Sequence, residues 1–548
     1  MLASSSPRFL LIVLLILPAA VSALVRVLFY TPTLSYSHVQ FNVKLAELLA
    51  QDGIQTMVVA RIDDTVEWRN LADANSTGLR VIPVSTGLER GVLSRSLWRE
   101  PSPFEESHPL QFRMLRKFSR VGLLFVQACK RIRNDRLSYV CSISDVLQDG
   151  GALLEKLKKE QFHVGLVEQY DSCGHALFEL LNIPSRVWMS ATNVFRPQPS
   201  AMGLHYPISY VPELLLELDD RMSMLGRVHN LVVAKCTESM WWLMVEFELR
   251  SILSIQKPVS SVLSQSHALI ANTLSVLDFP VPTLNRVLPV AGITLEPSST
   301  TASLPTFWNE TLTAWSGGFV IVSFGAIASF AEMDAPIQTA FFDAFDQHPH
   351  VLFIVKYAFR GMRLVPRYLS RRHDGIPQGG KPVWRSRNVI LTQWLPQQSL
   401  LRSAQFSGLI SHGGWSSALE TLSAGRPILL MPLFADHART AELVRSRRIG
   451  VIVSKTDVYR PGLLSAALHR LLHDRDIRRR ALSASAQFRS MRTNLRASVL
   501  HQVRRAAKPT WREGTRKWQI ATPSSPIHYY HLDAFACLLG LVFLLSTR

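Results

Sequence analysis

The stretch that most constrains the fold is residues 388–443, where three short apolar runs each lead into a helix start. NVILT, FSGLIS and PILLMPLF read as strands buried on both faces, separated by helix-length segments. Such a ribbon is the repeating unit of an open parallel sheet, in which ligands bind beyond the carboxyl ends of the strands. Each of these three ends carries polar or aromatic chemistry. Trp394 follows the first, where an aromatic face can stack a base. After the second, His412-Gly413-Gly414 forms a tight loop and Ser416 or Ser417 opens the next helix. The glycines let backbone approach a ligand, and the helix N-terminus presents unpaired N–H groups to an anion. Glu420 lies one turn further in, and Asp436 and His437 follow the third strand.

Taken singly, each feature has a bland reading: a glycine-rich turn without a ligand, a core tryptophan, polar residues at a strand end. Three successive strand ends with suitable groups point instead to a site for a phosphate, an aromatic base and sugar hydroxyls. Glu420 suits two adjacent hydroxyls.

A chain of 548 residues is too long for one ordinary domain and suits two. With 47% apolar and 18% charged residues it is globular. The net charge of +19 lacks an aromatic-interleaved basic module, so no nucleic acid is expected. The five cysteines show neither CxxC nor metal spacing, and their scatter argues against a disulfide framework, with Cys173 read as a small buried hydrophobe. No Asp-x-Asp pair stands where it would suit a divalent ion, so no metal and no cofactor is expected.

Taken in order, residues 1–23 read as a signal peptide, with Arg8, the apolar FLLIVLLIL and a small-residue cleavage site. Asn75 and Asn309 head glycosylation triplets. A first doubly wound domain over 24–288 opens with the strand LVRVLFYTP and a helix from His38 to about Asp52. HVGLVE is a further strand there, ending at Glu168 with Asp171 three residues on. A carboxylate beside a histidine fixes its tautomer and stabilises the imidazolium when a proton arrives. Residues 65–149 are irregular, with helices around a pocket. Residues 289–305 have linker composition. A second doubly wound domain over 306–510 begins with GFVIVSFGAIASF, whose strand ends in the small-residue turn Ser323-Phe324-Gly325. In the tail, 511–548, the apolar run 531–545 is shorter than the ~20 residues that span a bilayer, and a C-terminal membrane anchor is still expected there.

The segments WLPQ, SHGGWSSALE, GRP and PLFADH resemble the signature of the UDP-glucuronosyl/UDP-glucosyltransferases over about fifty residues, with weaker likeness along the chain. The resemblance implies two facing Rossmann-like domains of GT-B type. It implies inverting, metal-independent transfer of a hexosyl or glucuronosyl group from a UDP-sugar to a hydroxyl of a small lipophilic acceptor. Position by position, it implies that Trp394 stacks uracil and Gln397 supports the nucleotide. His412 and Ser417, with Gly414 and Ser416, would hold the diphosphate near the Ser323–Gly325 turn. Glu420 would take the ribose, and Asp436 and His437 would reach the sugar. His38 would be the base, steadied by Glu168 or Asp171. Serine at 416 and histidine at 437 depart from the usual asparagine and glutamine. Those departures leave an alternative, an impaired member that only binds lipophiles or nucleotide-sugars. The expected setting is the lumenal side of the endoplasmic reticulum membrane, with a single C-terminal span and self-association open to the chain.

Overall fold

The computed structural model describes residues 25–33, 35–62, 79–85, 152–169, 171–253, 259–263, 265–295, 304–325, 328–357, 376–378, 381–386 and 388–510. They build two α/β sheets. The first contains β1 (Arg26–Pro32), β2 (Gln55–Ile62), β3 (Arg80–Ser85), β4 (Val164–Glu168), β5 (Ser185–Ser190), β6 (Ser266–Ala271) and β7 (Val287–Pro289). Its strands are all parallel and lie in the order β3-β2-β1-β4-β5-β6-β7. The second contains β8 (Phe319–Ser323), β9 (Leu352–Lys356), β10 (Ile376–Gln378), β11 (Lys381–Ser386), β12 (Val389–Thr392), β13 (Phe406–Ser411), β14 (Ile428–Leu430) and β15 (Gly450–Ile452). Its order is β10-β11-β12-β9-β8-β13-β14-β15, parallel from β12 to β15. The edge pair β10 and β11 is antiparallel, a hairpin that the apolar pattern did not announce.

The helices that matter below are α1 (Tyr36–Gln51), α2 (Cys173–Leu180), α3 (Met224–Leu253), α4 (Gln397–Leu401), α5 (Trp415–Ser423), α6 (His437–Arg447), α7 (Arg475–Met491) and α8 (Leu495–Ala507). Strands covered on both faces must be apolar throughout, and every residue of β4 and β8 is buried. Alternate residues serve opposite layers. Val27 and Phe29 of β1 join Phe41 and Leu45 of α1 and Val499 and Val503 of α8, while Leu28 and Tyr30 face Trp188 and Trp241. The last described helix, α8, therefore packs on the first sheet although the second sheet precedes it in sequence.

Four expectations are corrected. Among the described residues no helix is long and apolar enough to cross a membrane. The longest, α3, has 30 residues but carries Arg227, Lys235, Glu238, Glu246, Glu248 and Arg250. The fold class is thus two Rossmann-like sheets, parallel but for the β10–β11 edge, with no spanning helix among the described residues. The membrane partner and the single-pass placement in the endoplasmic reticulum membrane are not retained. The signal-peptide segment 1–23, the glycosylation triplet at Asn75, most of the 65–149 region and the apolar run 531–545 lie outside the described residues. Cys173 is disulfide-bonded, not a free buried thiol, and its partner lies outside the described residues.

Candidate functional site: two facing strand-end switch points

In each sheet the strand order reverses at one place, between β1 and β4 in the first and between β8 and β13 in the second. At such a switch point the loops from neighbouring strands diverge and leave a crevice for a ligand. The candidate residues gather at these two crevices.

In the first, Ser35 leads into α1 and places His38 in its opening turn. His38 Nδ1 lies 3.5 Å from Glu168 Oε2 at the end of β4, and Glu168 is fully buried. The other oxygen, Oε1, accepts from the Gln169 N–H at 3.2 Å. A buried carboxylate with one fixed donor and one imidazole neighbour orients that ring. Asp171 is placed differently. Its Oδ1 accepts from the Cys173 N–H at 2.9 Å and caps the start of α2. Glu168 thus lies within ion-pair distance of His38.

In the second, β8 and β13 run side by side with Ser323 opposite Ser411. His412 follows, its Nδ1 3.1 Å from the Ser411 hydroxyl. Two glycines make room for its ring. A Cβ on Gly325, at φ +82°, would come within 2.7 Å of His412 Cε1, and one on Gly414 within 2.7 Å of Nε2. Burial, then the Lys356 charge, pull the His412 pKa down to about 4, so the ring is neutral near pH 7. Helix α5 starts at Trp415 with Gly414 as its N-cap, earlier than the Ser416 or Ser417 start that the sequence suggested. Ser416 and Ser417 consequently sit within the first turn, where backbone N–H groups lack partners and a dipole favours an anion.

Gln397, which opens α4, donates through Nε2 to Glu420 Oε2 at 2.6 Å and lies 3.3 Å from Ser417 Oγ. Gln398 donates to the other Glu420 oxygen at 3.2 Å. Burial pushes the Glu420 pKa up, and the two amides oppose that by favouring the carboxylate. Trp394 is 48% exposed. Its ring faces the Lys356 ammonium at 5.5 Å and meets Tyr36 of the first domain edge-on, with centroids 6.3 Å apart. An exposed indole beside a cation is poised for stacking, not for the core.

Asp436 stands just before α6 without a side-chain capping bond, and its buried Oδ2 has no hydrogen-bond partner. Burial raises its pKa, and the His38 and Arg439 charges oppose the rise. His437 is buried, packs edge-on to His412 at 4.5 Å, and its Nδ1 accepts from the Phe434 N–H at 3.3 Å. That bond assigns the ring proton to Nε2. Burial and the neighbouring His412 keep its pKa well below the usual range.

Sequence reasoning missed several members. Lys356, the last residue of β9, also donates to the Gly325 carbonyl at 3.1 Å, so a fixed positive charge lies on the rim where an anion would sit. Its place at the end of a strand beside the switch point was the available signal. Gln398, Tyr36 and the bonds between the two halves left no local signal. The Trp415 indole N–H donates to the Asn272 carbonyl. Arg439 pairs with Asp278 at 2.6 Å and donates to the Pro212 carbonyl at 3.0 Å, and Arg447 donates to the Asp278 carbonyl at 2.7 Å. These contacts tie α5 and α6 to the first domain. Among the described residues no cluster of His, Cys, Asp or Glu could hold a metal ion.

Residues 104–490 match the family described as UDP-glucoronosyl and UDP-glucosyl transferase. Among curated proteins, the chain is 28% identical over 470 residues to a mouse 2-hydroxyacylsphingosine 1-beta-galactosyltransferase, covering 84% of this chain and 76% of that protein. For the rat and human proteins of the same description, the aligned part is 60% of each relative's length. Human UDP-glucuronosyltransferase 1A8 is 26% identical, covering 66% of this chain and 61% of its own. The fold is similar to a solved UDP-glucose: anthocyanidin 3-O-glucosyltransferase in complex with UDP, with a TM-score of 0.56 at 15% identity. The match covers 88% of this chain and 98% of that one.

Proposed function

From the premise that the chain belongs to the UDP-glucoronosyl and UDP-glucosyl transferase family, and is an inverting enzyme that moves a sugar from a UDP-sugar to a small acceptor, we propose that His38 is its general base and Glu168 the carboxylate that steadies it. The acceptor is a lipophilic alcohol or phenol bound in the first-domain crevice, and the sugar is hexosyl or glucuronosyl. With Nδ1–H turned to Glu168, His38 Nε2 accepts the acceptor's hydroxyl proton. The freed oxygen attacks the anomeric carbon from the face opposite UDP. The bond from that carbon to the phosphate oxygen breaks, its electron pair leaves with UDP, and the configuration inverts.

Charge building on the leaving diphosphate meets the Ser416 and Ser417 end of α5, the neutral His412 ring and Lys356. Trp394 stacks uracil. The Glu420 carboxylate, oriented by Gln397 and Gln398, takes ribose hydroxyls, and the open Asp436 oxygen takes a hydroxyl of the sugar. His437 supports His412 from behind.

The observation that carries the reading is the His38–Glu168 contact at one switch point. It favours catalysis over mere binding, which needs no oriented base. The test is His38→Ala with UDP-glucose, UDP-galactose and UDP-glucuronate against a panel of phenols, steroids and sphingoid acceptors. Turnover should fall ~10²–10⁴-fold while UDP binding by calorimetry stays unchanged. Full activity in that variant would remove His38 as the base.

A further inference from the structure

Helix α6 follows a strand of the second sheet, yet it is held to the first domain at two points. Arg439, in its first turn, pairs through Nη2 with Asp278 Oδ1 at 2.6 Å and donates through Nη1 to the Pro212 carbonyl at 3.0 Å. Further along the helix, Arg447 donates to the Asp278 carbonyl at 2.7 Å and to the Leu277 carbonyl at 3.3 Å. One attachment would leave the helix free to pivot, whereas two fix its direction. Arg439 and Asp278 are both buried, and the carboxylate is fully engaged. Its Oδ1 also accepts from the Phe279 N–H at 2.8 Å, and its Oδ2 accepts from Asn193 Nδ2 at 3.1 Å and the Thr273 hydroxyl at 3.0 Å. A cation in the first turn of a helix opposes the macrodipole, and desolvating an ion pair offsets most of what the pair gains. Neither helix stability nor burial energy accounts for an arginine at this position. A fixed geometry does.

We propose that Arg439 and Asp278 are positioning residues for sugar transfer: their pair holds Asp436, one turn before Arg439, in place against the His38–Glu168 pair. This rests on the roles proposed above for His38, Glu168 and Asp436. The route back to Glu168 is short. Asn193, which donates to Asp278, lies in a segment that Gln169 grips, donating to the Thr192 hydroxyl at 3.2 Å and accepting from the Phe195 N–H at 3.2 Å. The backbone N–H of the same Gln169 donates to Glu168 Oε1. The acceptor oxygen is placed by one domain and the anomeric carbon by the other, so a shift of α6 by about 1 Å would cost up to ~10²-fold in turnover. UDP affinity, set by Trp394, His412 and Glu420 of the second domain, does not depend on the pair.

The test compares Asp278→Asn, Arg439→Met and the double variant in the full chain. Each single change leaves a buried group without its partner. The double leaves no unpaired buried charge and should melt close to the wild type. All three should lose ~10- to 10²-fold in kcat at saturating substrates while calorimetry finds UDP bound as in the wild type. The double should lose no more than Arg439→Met alone. Hydrogen exchange, which needs no turnover, should quicken at residues 192–195 in Arg439→Met although the substitution lies on α6. The proposal falls if the double variant fails to fold, or if it folds and turns over like the wild type. It also falls if UDP affinity drops in step with kcat, or if exchange at 192–195 is unchanged. Failure of the base assignment is distinct: His38→Ala would then keep its turnover while Arg439→Met lost it.

Discussion

The two switch points are built differently. At the donor edge of the second sheet, side chains already hold one another. Two glutamines grip Glu420, two glycines enclose the His412 ring, and Lys356 is fixed between the Gly325 carbonyl and the Trp394 ring. At the proposed acceptor edge of the first sheet there is a single imidazole–carboxylate contact of 3.5 Å. UDP is the same in every turnover, so its site can be rigid and preorganised. The base must accommodate an incoming hydroxyl, and catalytic contacts of this kind shorten when substrate arrives. Damage at the acceptor edge should therefore appear in turnover, and damage at the donor edge in UDP affinity.

Five substitutions sharpen that contrast beyond the loss of His38. The largest effect is expected for Glu168→Gln, which should lower kcat/KM by ~10²-fold with UDP affinity unchanged. Asp171→Asn keeps a capping acceptor and should be nearly silent, so equal losses in the two variants would erase the distinction between them. Next comes Trp394→Ala. Loss of a stacked base costs ~1–3 kcal/mol, so calorimetry should find UDP bound between about 5- and 150-fold more weakly. Unaltered binding would remove the stack.

Gly325→Ala is a finer probe. Its backbone at φ +82° and a Cβ 2.7 Å from the His412 ring mean that the ring must move, and UDP affinity should drop ~10-fold. An unchanged turnover rate at saturating donor would confine that effect to binding.

The smallest effect is a pH dependence. The folded-state pKa of His412 is about 4 against an ordinary 6.5, so between these values the unfolded chain binds a proton that the folded chain refuses. Stability from this group is complete above pH 6.5 and is lost as pH falls toward 4. His437 acts with the same sign, whereas the raised Glu420 and Asp436 act oppositely. Comparing the melting temperature of wild type with that of His412→Asn from pH 7 to 5 isolates the term. A gap between them that does not shift across this range would show that His412 is not held neutral.

The donor edge was legible because its logic is local. Trp394, His412 and Asp436 each follow a strand closely and Glu420 lies in the helix after the second, so the strand–helix pattern alone puts them on one rim. His38 and Glu168 were legible as candidates for the same reason, yet choosing Glu168 over Asp171 required the register of β1 on β4, which sets the ends of both strands side by side. The early start of α5 at Trp415 escaped because tryptophan is a poor signal for a helix start. The deciding fact is the bond from its indole to Asn272, 143 residues away.

What the sequence determined by itself was the repeating strand–helix unit, the two sheets and the chemistry at each strand end, since alternation and turn residues act over a handful of positions. The tertiary structure alone decided that Glu168 lies beside His38, that Lys356 joins the rim of the second crevice, and that Arg439 locks onto Asp278. Each of these depends on distances between segments far apart in the chain, which are set by how the two sheets pack and not by any pattern along one of them.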